Sequence, residues 1–531
     1  MKNTPYEIFG EYREAADFKA ALGKRGMYEQ NRINERFYIG DQWYGAKCGN
    51  DRPLVRHNII KRIGDYKMSQ ILSNPLTVTF SAEGVMSAPA DYRTLSSAGY
   101  KNETEEINSV MSALSDYYDV TAERVNLTML NERVLRNAYV TGTGVLYTYW
   151  DPSVSTGLYA DAEKKIPITG DIACEVLDID NVFFADPYLY EVQKQPYIII
   201  SSRRETDDVL REAKAFGADR ITLRMIENGS SDGKITVLTK LYKEYKADGS
   251  YTIKSVKVTE NAVVREEYET GLRLYPLAIF RWERRGNTVY GESEITYLIP
   301  NQIAINRMIT ANVWSAMTAG MPMMVINGDT VPDGITNEPG QIIKVFGSSD
   351  GVNGAVRYVS PPDFSANFDS SAQSLINNTL TQSGANEVAL GDSRADNATA
   401  LMTMRDAAVM PLQIVKNRFY SFAGEVSRIW ADFWITCYGK RKIKLSDRKG
   451  TWYMPFDSGR YRGLIINAKI SVGAGTVYSE SECVNTLVTL YEKGIIDRRQ
   501  FLERLPDGIV PDKDGLLSEN TDTEADYGDG I

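Results

Sequence analysis

The chain has 531 residues, 43% of them hydrophobic, with 60 Lys and Arg against 70 Asp and Glu and therefore a net charge of −10. This composition is typical of a globular protein of about two to four domains, and the acidic balance argues against tight, sequence-independent binding of nucleic acid, which depends on cationic side chains. Four widely spaced cysteines and a single histidine, His57, disfavour a disulfide framework, a zinc site and imidazole-dependent hydrolysis.

The first 83 residues predict two helices and a strand. Residues 9–36 have the pattern of a charged, weakly amphipathic helix, and an aromatic, glycine-rich loop begins at residue 37. Residues 56–74 predict an amphipathic helix, which ends at a proline, and residues 76–82 predict a strand. The apolar side chains of the second helix fall near one face: Ile59, Ile63, Met68 and Ile71. We interpret the loop aromatics as a packed corner, in preference to a ligand pocket: Tyr38, Trp43 and Tyr44.

Two further helices are predicted at 103–118 and 121–140, and the second has a core-facing apolar stripe. The segment Thr141-Gly-Thr-Gly144 lies between this helix and a strand. Phosphate loops lie between a strand and the following helix, so we interpret the segment as a helix cap and turn.

Residues 166–282 are predicted to be mostly strands, with one helix at 205–216, and a continuation of that helix past Gly217 towards Ile226 is left open. The segments 234–245 and 251–258 flank a turn sequence and predict a hairpin. The alternating Lys and Tyr residues of this hairpin are interpreted as a solvated sheet face, in preference to a nucleic-acid site.

The stretch 291–438 organises the rest of the chain. It predicts a helix in which Pro300 should cause a kink or start a new helix. A small module of strands at 321–362, a second helix from 363, a polar loop ending at 396 and a helix through 435 follow. That last helix has about 38 residues and would be roughly 57 Å long. Pro411 within it predicts a kink. This order of elements predicts a rod with a β tip.

The C-terminal part predicts strands from 438 to 475, which we expect to rejoin the first sheet. The basic cluster at 440–444 alternates with apolar residues and is interpreted as one face of a strand. Two short helices follow at 479–506, with Ser479 and Glu482 as a capping box. Residues 511–531 are acidic and glycine-rich, and we expect them to be disordered.

Four segments, taken in order, resemble the portal proteins of tailed double-stranded DNA phages, particularly those of siphophages from Gram-positive hosts. They are FYIGDQW at 37–43, RHNIIKRIGDYKMSQILSNPLTVTF at 56–80, GESEITYLIPNQIAINRMITANVW at 291–314 and VNTLVTLYEKGIIDRRQFLERLP at 484–506. The resemblance covers about residues 9–510. It rests on the ordered set, since no single motif is as specific as a metal or nucleotide signature.

The resemblance implies an α+β portal fold with an α/β wing, a helical stem, a small β clip, a long kinked wing helix and a helical crown. The implied segments are the wing at 1–291, stem helices at 292–320 and 363–385, the clip at 321–362, the tunnel loop at 386–397, the long wing helix at 398–437, wing strands at 438–475 and the crown at 476–510. The acidic tail completes the chain.

The resemblance also implies a ring of subunits, twelve in most members, at one capsid vertex of the virion. Its partners would be double-stranded DNA, terminase, the major capsid and scaffolding proteins, and a head–tail adaptor protein. No enzymatic activity, cofactor, metal or membrane contact is expected. The DNA-facing tunnel-loop residues would be Glu387, Asp392, Ser393, Arg394 and Asp396. Lys344 and Arg357 are candidate phosphate neighbours in the clip, although solvated charges are the simpler interpretation.

Two other classes of protein are weaker alternatives. A carbohydrate-active enzyme would fit the 32 Tyr, 7 Trp and many carboxylates, but the sequence does not single out a catalytic carboxylate pair. A DNA-translocating ATPase would need a GxxxxGK[ST] loop, which the sequence lacks. The chain also has no apolar N-terminal signal segment and no run of 18 apolar residues, so we expect neither secretion nor a membrane span.

Overall fold

The structure, a computed structural model, describes residues 3–45, 53–83, 97–161, 166–247, 249–286, 288–319, 323–326, 356–359, 365–385, 410–447, 450–472, 477–505 and 510. It is a mixture of helices and antiparallel strands, which confirms the predicted α+β class. The chain divides into two compact units. The first comprises Met1–Glu35, Gly64–Thr296 and Asp396–Ile531, and the second comprises Arg36–Ile63 and Tyr297–Ala395.

The described helices are α1 (Pro5–Ala21), α2 (Met27–Ile39), α3 (Ile59–Leu72), α4 (Ser97–Arg124), α5 (Leu127–Thr141), α6 (Thr206–Ala215), α7 (Arg220–Asn228), α8 (Ile295–Ala319), α9 (Ser365–Gln382), α10 (Gln413–Cys437), α11 (Ser458–Tyr461), α12 (Val477–Glu492) and α13 (Arg498–Arg504). The described strands are β1 (Leu76–Glu83), β2 (Thr143–Asp161), β3 (Ile166–Leu177), β4 (Val182–Phe184), β5 (Tyr197–Glu205), β6 (Lys234–Tyr245), β7 (Tyr251–Val258), β8 (Val263–Glu269), β9 (Leu277–Arg281), β10 (Glu283–Arg284), β11 (Gly291–Glu292), β12 (Met323–Ile326), β13 (Val356–Val359), β14 (Lys440–Asp447), β15 (Gly450–Asp457) and β16 (Ile465–Val472).

A five-stranded antiparallel sheet in the order β4-β5-β6-β7-β8 anchors the first unit. Alternate residues of these strands form one apolar face, and α1 packs on it through Ile8 and Phe9. The predicted hairpin is confirmed as β6 and β7, with Tyr245 opposite Tyr251. Its face is not simply solvated, because Lys240 is 3% exposed and forms an ion pair with Glu11 at 2.6 Å.

A second antiparallel sheet, in the order β3-β2-β9, carries α5 and α10. The turn between α5 and β2 is the predicted cap. Gly142 ends α5 with a left-handed φ of 86°, and its N–H donates to the carbonyl of Ala138. Its backbone also lies so close to β11 that a Cβ atom would stand 2.6 Å from the carbonyl oxygen of Gly291.

A layer of aromatic side chains joins α4, α10 and β1 within the first unit. Trp430 and Trp434 of α10 are fully buried, and their rings lie 5.0 and 5.5 Å from Tyr118 and Tyr117 of α4. Phe80 of β1 packs edge-on against Trp434 at 5.7 Å. Because aromatic side chains bury large apolar areas, this layer contributes to the hydrophobic stabilisation of the unit.

The structure corrects the predicted helix boundaries near the N-terminus. Residues 9–36 form two helices, not one, because Gly23 and Gly26 both have φ near 80° and interrupt helical hydrogen bonding. The helix predicted at 103–118 continues as α4 to Arg124. The break comes at Asn126, which has a φ of 53° and caps α5 through its side chain.

Two expectations for the C-terminal part are also wrong. Among the described strands, β14 and β15 form a two-stranded sheet of their own and β16 pairs with β1 in another, so none of the three joins either of the larger sheets. Ser479 lies inside α12 and is not its cap. The capping box is at α13, where Asp497 accepts from the N–H of Gln500 at 2.6 Å.

In the second unit, α8 continues through Pro300, which lies inside the helix without ending it. β12 and β13 form an antiparallel pair in which Met323 lies opposite Val359. α9 buries the stripe Ala372, Ile376 and Leu380, spaced four residues apart as one helix face requires. The predicted order of helix, strands and helix is thus confirmed for the described residues.

Candidate functional site

Most of the predicted site residues lie outside the described residues. These are all five tunnel-loop residues, Glu387, Asp392, Ser393, Arg394 and Asp396, together with Lys344. Arg357 lies in β13, opposite Val325 of β12. The contacts of all seven residues with DNA therefore stay predictions. Of the seven, Arg357 alone lies within the described residues.

Pro411 lies in a 3-10 turn, Met410–Leu412, directly before α10. The helix proper begins at Gln413, so the proline stands at its start and not within it. Proline suits this position because its missing N–H has no helical partner there. Residues 398–409 lie outside the described residues, so a bend between two helical segments at Pro411 stays a prediction.

A hydrogen bond between polar side chains joins helices α8 and α9 of the second unit. The side-chain amide of Asn301 donates to the hydroxyl of Thr379 at 3.2 Å, and that hydroxyl donates to the carbonyl of Leu375 at 2.7 Å. Each helix carries a single charged side chain, Arg307 on α8 and Asp369 on α9, and both are exposed.

A buried amide network ties α8 to the start of α3. Gln302, 2% exposed, accepts hydrogen bonds from the N–H groups of Ile59 and Ile60 at 3.0 and 3.3 Å. These N–H groups belong to the first turn of α3, where capping side chains commonly supply the acceptors. The amide of Gln302 in turn donates to the carbonyl of His57 at 2.6 Å and to Asn306 at 3.0 Å.

Asn306, also 2% exposed, completes the network. It accepts from the N–H of His57 at 3.0 Å and donates to the side chain of Gln42 at 2.6 Å. His57 thus joins the network through its backbone N–H and carbonyl, and the residue is exposed. Sequence reasoning missed this network, although two amides four residues apart on an apolar helix face were a signal for a buried polar pair.

The first unit contains a cleft of about 1200 Å³ against the face of the five-stranded sheet opposite α1. Glu212 lies in it and forms ion pairs with Lys257, at 2.6 Å, and with Arg204. Burial raises the pKa of Glu212, but hydrogen bonds from both cations outweigh burial and hold it below the ordinary value. A carboxylate kept ionised in this way anchors its neighbours and is a poor proton donor.

Within the described residues, no three His, Cys, Asp or Glu side chains are close enough together to hold a metal ion. No helix in the described part of the chain is both long and apolar enough to cross a bilayer.

Comparison with known proteins leaves the family open. No protein-family model matches the chain, and no curated protein matches it. Among solved structures, the chain is similar to one described as "Neck of empty GTA particle computed with C6 symmetry", with 11% identity and a TM-score of 0.39. The alignment covers 94% of this chain and 95% of that one. A likeness of this size establishes neither fold nor function.

Proposed function

We propose that the chain is the subunit of a ring-shaped portal of a tailed double-stranded DNA phage, with a structural and not an enzymatic role. The observation that supports this proposal is the second unit, in which α8, the β12–β13 pair and α9 follow one another in the order expected for stem, clip and stem. The rest of the chain, with both larger sheets, lies in the other unit.

The surface chemistry of α8 favours assembly with further copies. Over 25 residues this helix has one charged side chain, and several of its isoleucine and valine side chains are only half-buried: Ile299, Ile303, Ile309 and Val313. A helix exposed to water normally carries charges on its outer face. Neighbouring copies in a closed ring would cover these side chains, as head-to-tail interfaces do in cyclic oligomers.

In this proposal the wing comprises 1–291, 398–437 and 438–475, the stem 292–320 and 363–385, the clip 321–362 and the crown 476–510. The tunnel loop, 386–397, would face DNA. Its three acidic side chains, Glu387, Asp392 and Asp396, would repel phosphates and leave only Arg394 to pair with them. A wall of this kind lowers the affinity that would otherwise hold DNA in place, which a conduit requires.

The proposed partners are terminase during packaging, the capsid and scaffolding proteins at the vertex, and a head–tail adaptor afterwards. The clip would meet terminase and adaptor, because in this proposal it forms the tip of the helical segment.

Negative-stain electron microscopy and native mass spectrometry of the purified full-length chain test the proposal. We expect rings with a central hole wide enough for a DNA duplex and a single mass corresponding to a cyclic oligomer. A monomer that stays monomeric at high protein concentration would overturn the proposal and would revive the alternative of an enzyme built around the cleft.

A further inference from the structure

Four cationic side chains of the first unit converge on one surface with two tyrosines. The cations are Lys24 and Arg25, in the loop between α1 and α2, and Arg284 and Arg285, at the end of β10. The tyrosines, Tyr188 and Tyr190, are 67% and 37% exposed. We name these six residues the basic patch.

Contacts between the three loops show that the basic patch is one surface. The guanidinium of Arg285 lies against the backbone of Gly23, where a Cβ atom would come within 2.6 Å of its Nη2, so it adjoins Lys24. The guanidinium of Arg284 lies 4.9 Å from the ring centre of Tyr190. The ring of Tyr188 packs edge-on against Phe18 of α1 at 5.5 Å, which fixes the tyrosine loop beside the end of that helix.

Arg281 holds the centre of the basic patch in place from beneath. It donates to the carbonyl of Tyr190 at 2.7 Å and to that of Val289 at 2.5 Å, and its guanidinium lies 4.1 Å from the ring centre of Tyr190. Tyr190 therefore has one arginine bonded to its backbone and two arginines near its ring. Stacking of this kind leaves the edges of a guanidinium free to donate hydrogen bonds.

The acidic residues nearby do not neutralise the basic patch. Glu283 precedes Arg284 on β10, but its carboxylate lies near Glu294, Lys67 and Arg418. Glu191 pairs with Lys194 at 2.7 Å, and the carboxylate of exposed Asp186 accepts from the N–H of Tyr188 at 2.9 Å. Among the described residues, none of the four cations forms an ion pair.

We infer that the basic patch binds the phosphate backbone of double-stranded DNA. Arginine edges, a lysine and tyrosine hydroxyls are the donors that phosphates accept from, and such contacts are independent of base sequence. Lys24, Arg25, Arg284 and Tyr188 are exposed, so the basic patch is accessible to a rod-shaped polyanion, whereas a peptide needs a groove or a strand edge. In a chain of net charge −10, this local charge would bind DNA weakly and transiently.

This inference deepens the proposed function, since it rests on DNA as the ligand of the assembled particle, but it places a DNA contact outside the predicted tunnel loop. The test uses the full-length chain and a fluorescein-labelled DNA duplex, with binding followed by anisotropy over a range of salt concentrations. The test variant replaces Lys24, Arg25, Arg284 and Arg285 by alanine. The control variant replaces four exposed cations elsewhere in the same unit: Lys214, Arg220, Arg224 and Lys246.

Both variants remove four positive charges, so they have the same net charge, and native mass spectrometry verifies that they keep the wild-type oligomeric state. We expect the test variant to bind DNA at least about tenfold more weakly at low salt, while the control stays near the wild type. The slope of log affinity against log salt should fall by about 0.9 for each phosphate that the test variant no longer neutralises.

Two outcomes would overturn the inference. Equal reductions in affinity for the two variants would show that DNA responds to net charge alone. Binding of fluorescein-labelled polyglutamate without binding of the duplex would identify an acidic protein segment as the ligand. Neither outcome depends on whether rings form, so failure of this inference and failure of the portal proposal are separate results.

Discussion

At the scale of single residues, the buried side chain of Lys19 holds α1 against the segment 179–183. It is completely buried, donates to the carbonyls of Ile179 and Asp180 at 2.6 and 3.2 Å, and lies 3.8 Å above the ring of Phe183. Burial lowers the pKa of the Lys19 ammonium from an ordinary 10.5 to about 7, although the carboxylates of Asp180 and Asp178 act in the opposite direction.

This lowered pKa makes the free energy of unfolding depend on pH. Between pH 7 and 10.5 the unfolded chain binds a proton at Lys19 that the folded chain has released, so the free energy of unfolding rises with pH in that window. Lys19→Met has no such proton. We expect the melting temperature of the wild type to increase relative to that of Lys19→Met as pH rises from about 7 to 9.5.

Thermal unfolding followed by circular dichroism at several pH values measures this difference. Lys214→Met, at an exposed site on α6, is the control and should melt in parallel with the wild type. A constant difference between the wild type and Lys19→Met across the window would mean that Lys19 stays protonated in the fold.

Gly142 tests the turn that the sequence predicted between α5 and β2. Alanine there would need a left-handed φ and would place its Cβ 2.6 Å from the carbonyl oxygen of Gly291, so we expect Gly142→Ala to destabilise the protein by more than about 2 kcal/mol. Gly10→Ala is the matched control, because Gly10 lies inside α1 with nothing within 4 Å of a new Cβ. It should stabilise the protein by about 0.5–1 kcal/mol. Urea unfolding measures both, and a neutral Gly142→Ala would show that β11 can move away.

At the scale of elements, the first turn of α3 is capped by the side chain of Gln302 of α8. Gln302→Leu would leave the N–H groups of Ile59 and Ile60 and the carbonyl of His57 without this partner. The N–H of Ile59 also donates to the carbonyl of His57 at 2.9 Å, so these two groups would keep one hydrogen bond. We expect the free energy of unfolding to fall by about 1–3 kcal/mol, because the buried polar groups lose hydrogen bonds that the leucine side chain does not replace.

Hydrogen exchange locates this effect. The amides of Ile59 and Ile60 should exchange at least about tenfold faster in Gln302→Leu, whereas those of α6 and α7 should not change. Gln373→Leu removes an exposed amide that donates to Asn377 on the same helix, and it should leave both stability and exchange near the wild type. Unchanged exchange at Ile59 and Ile60 would show that water or another group replaces Gln302.

Elements with a clear local period could be predicted from the sequence. The amphipathic stripe of α3, with Ile59, Ile63 and Ile71 all buried, and the hairpin of β6 and β7 are examples. The break between α1 and α2 was missed because charged residues on both sides continue a helical pattern across two glycines. The burial of Lys240 was missed because its partner, Glu11, lies on a different element, and only the tertiary fold brings them together.

At the scale of the whole molecule, the order of helix, strand pair and helix followed from sequence, because turn residues and changes of period mark it. The pairing of β14 with β15 could not be predicted from the sequence, since a period of two residues identifies a strand but not its neighbour. The basic patch was equally hidden. Lys24-Arg25 and Arg284-Arg285 are visible as pairs, but they are 260 positions apart and meet only in the fold.

The predicted tunnel loop can be tested on the assembled particle. Deleting residues 391–395 should leave ring formation intact and impair DNA packaging or retention, because the loop would contact DNA and not the neighbouring subunit. Replacing the same residues by an equal length of glycine and serine separates loop length from loop chemistry. If the deletion variant fails to assemble into rings, the loop has been placed wrongly.

The sign of the charge in this loop gives a sharper test. If Asp392 and Asp396 keep DNA from adhering to the wall, replacing both by lysine should slow translocation, because each new cation that meets a phosphate adds salt-dependent affinity. Packaging rates measured with the double variant should recover as salt is raised, whereas a variant with both residues changed to asparagine should behave nearly like the wild type. Packaging at wild-type speed by the lysine variant at low salt would show that these two positions do not face DNA.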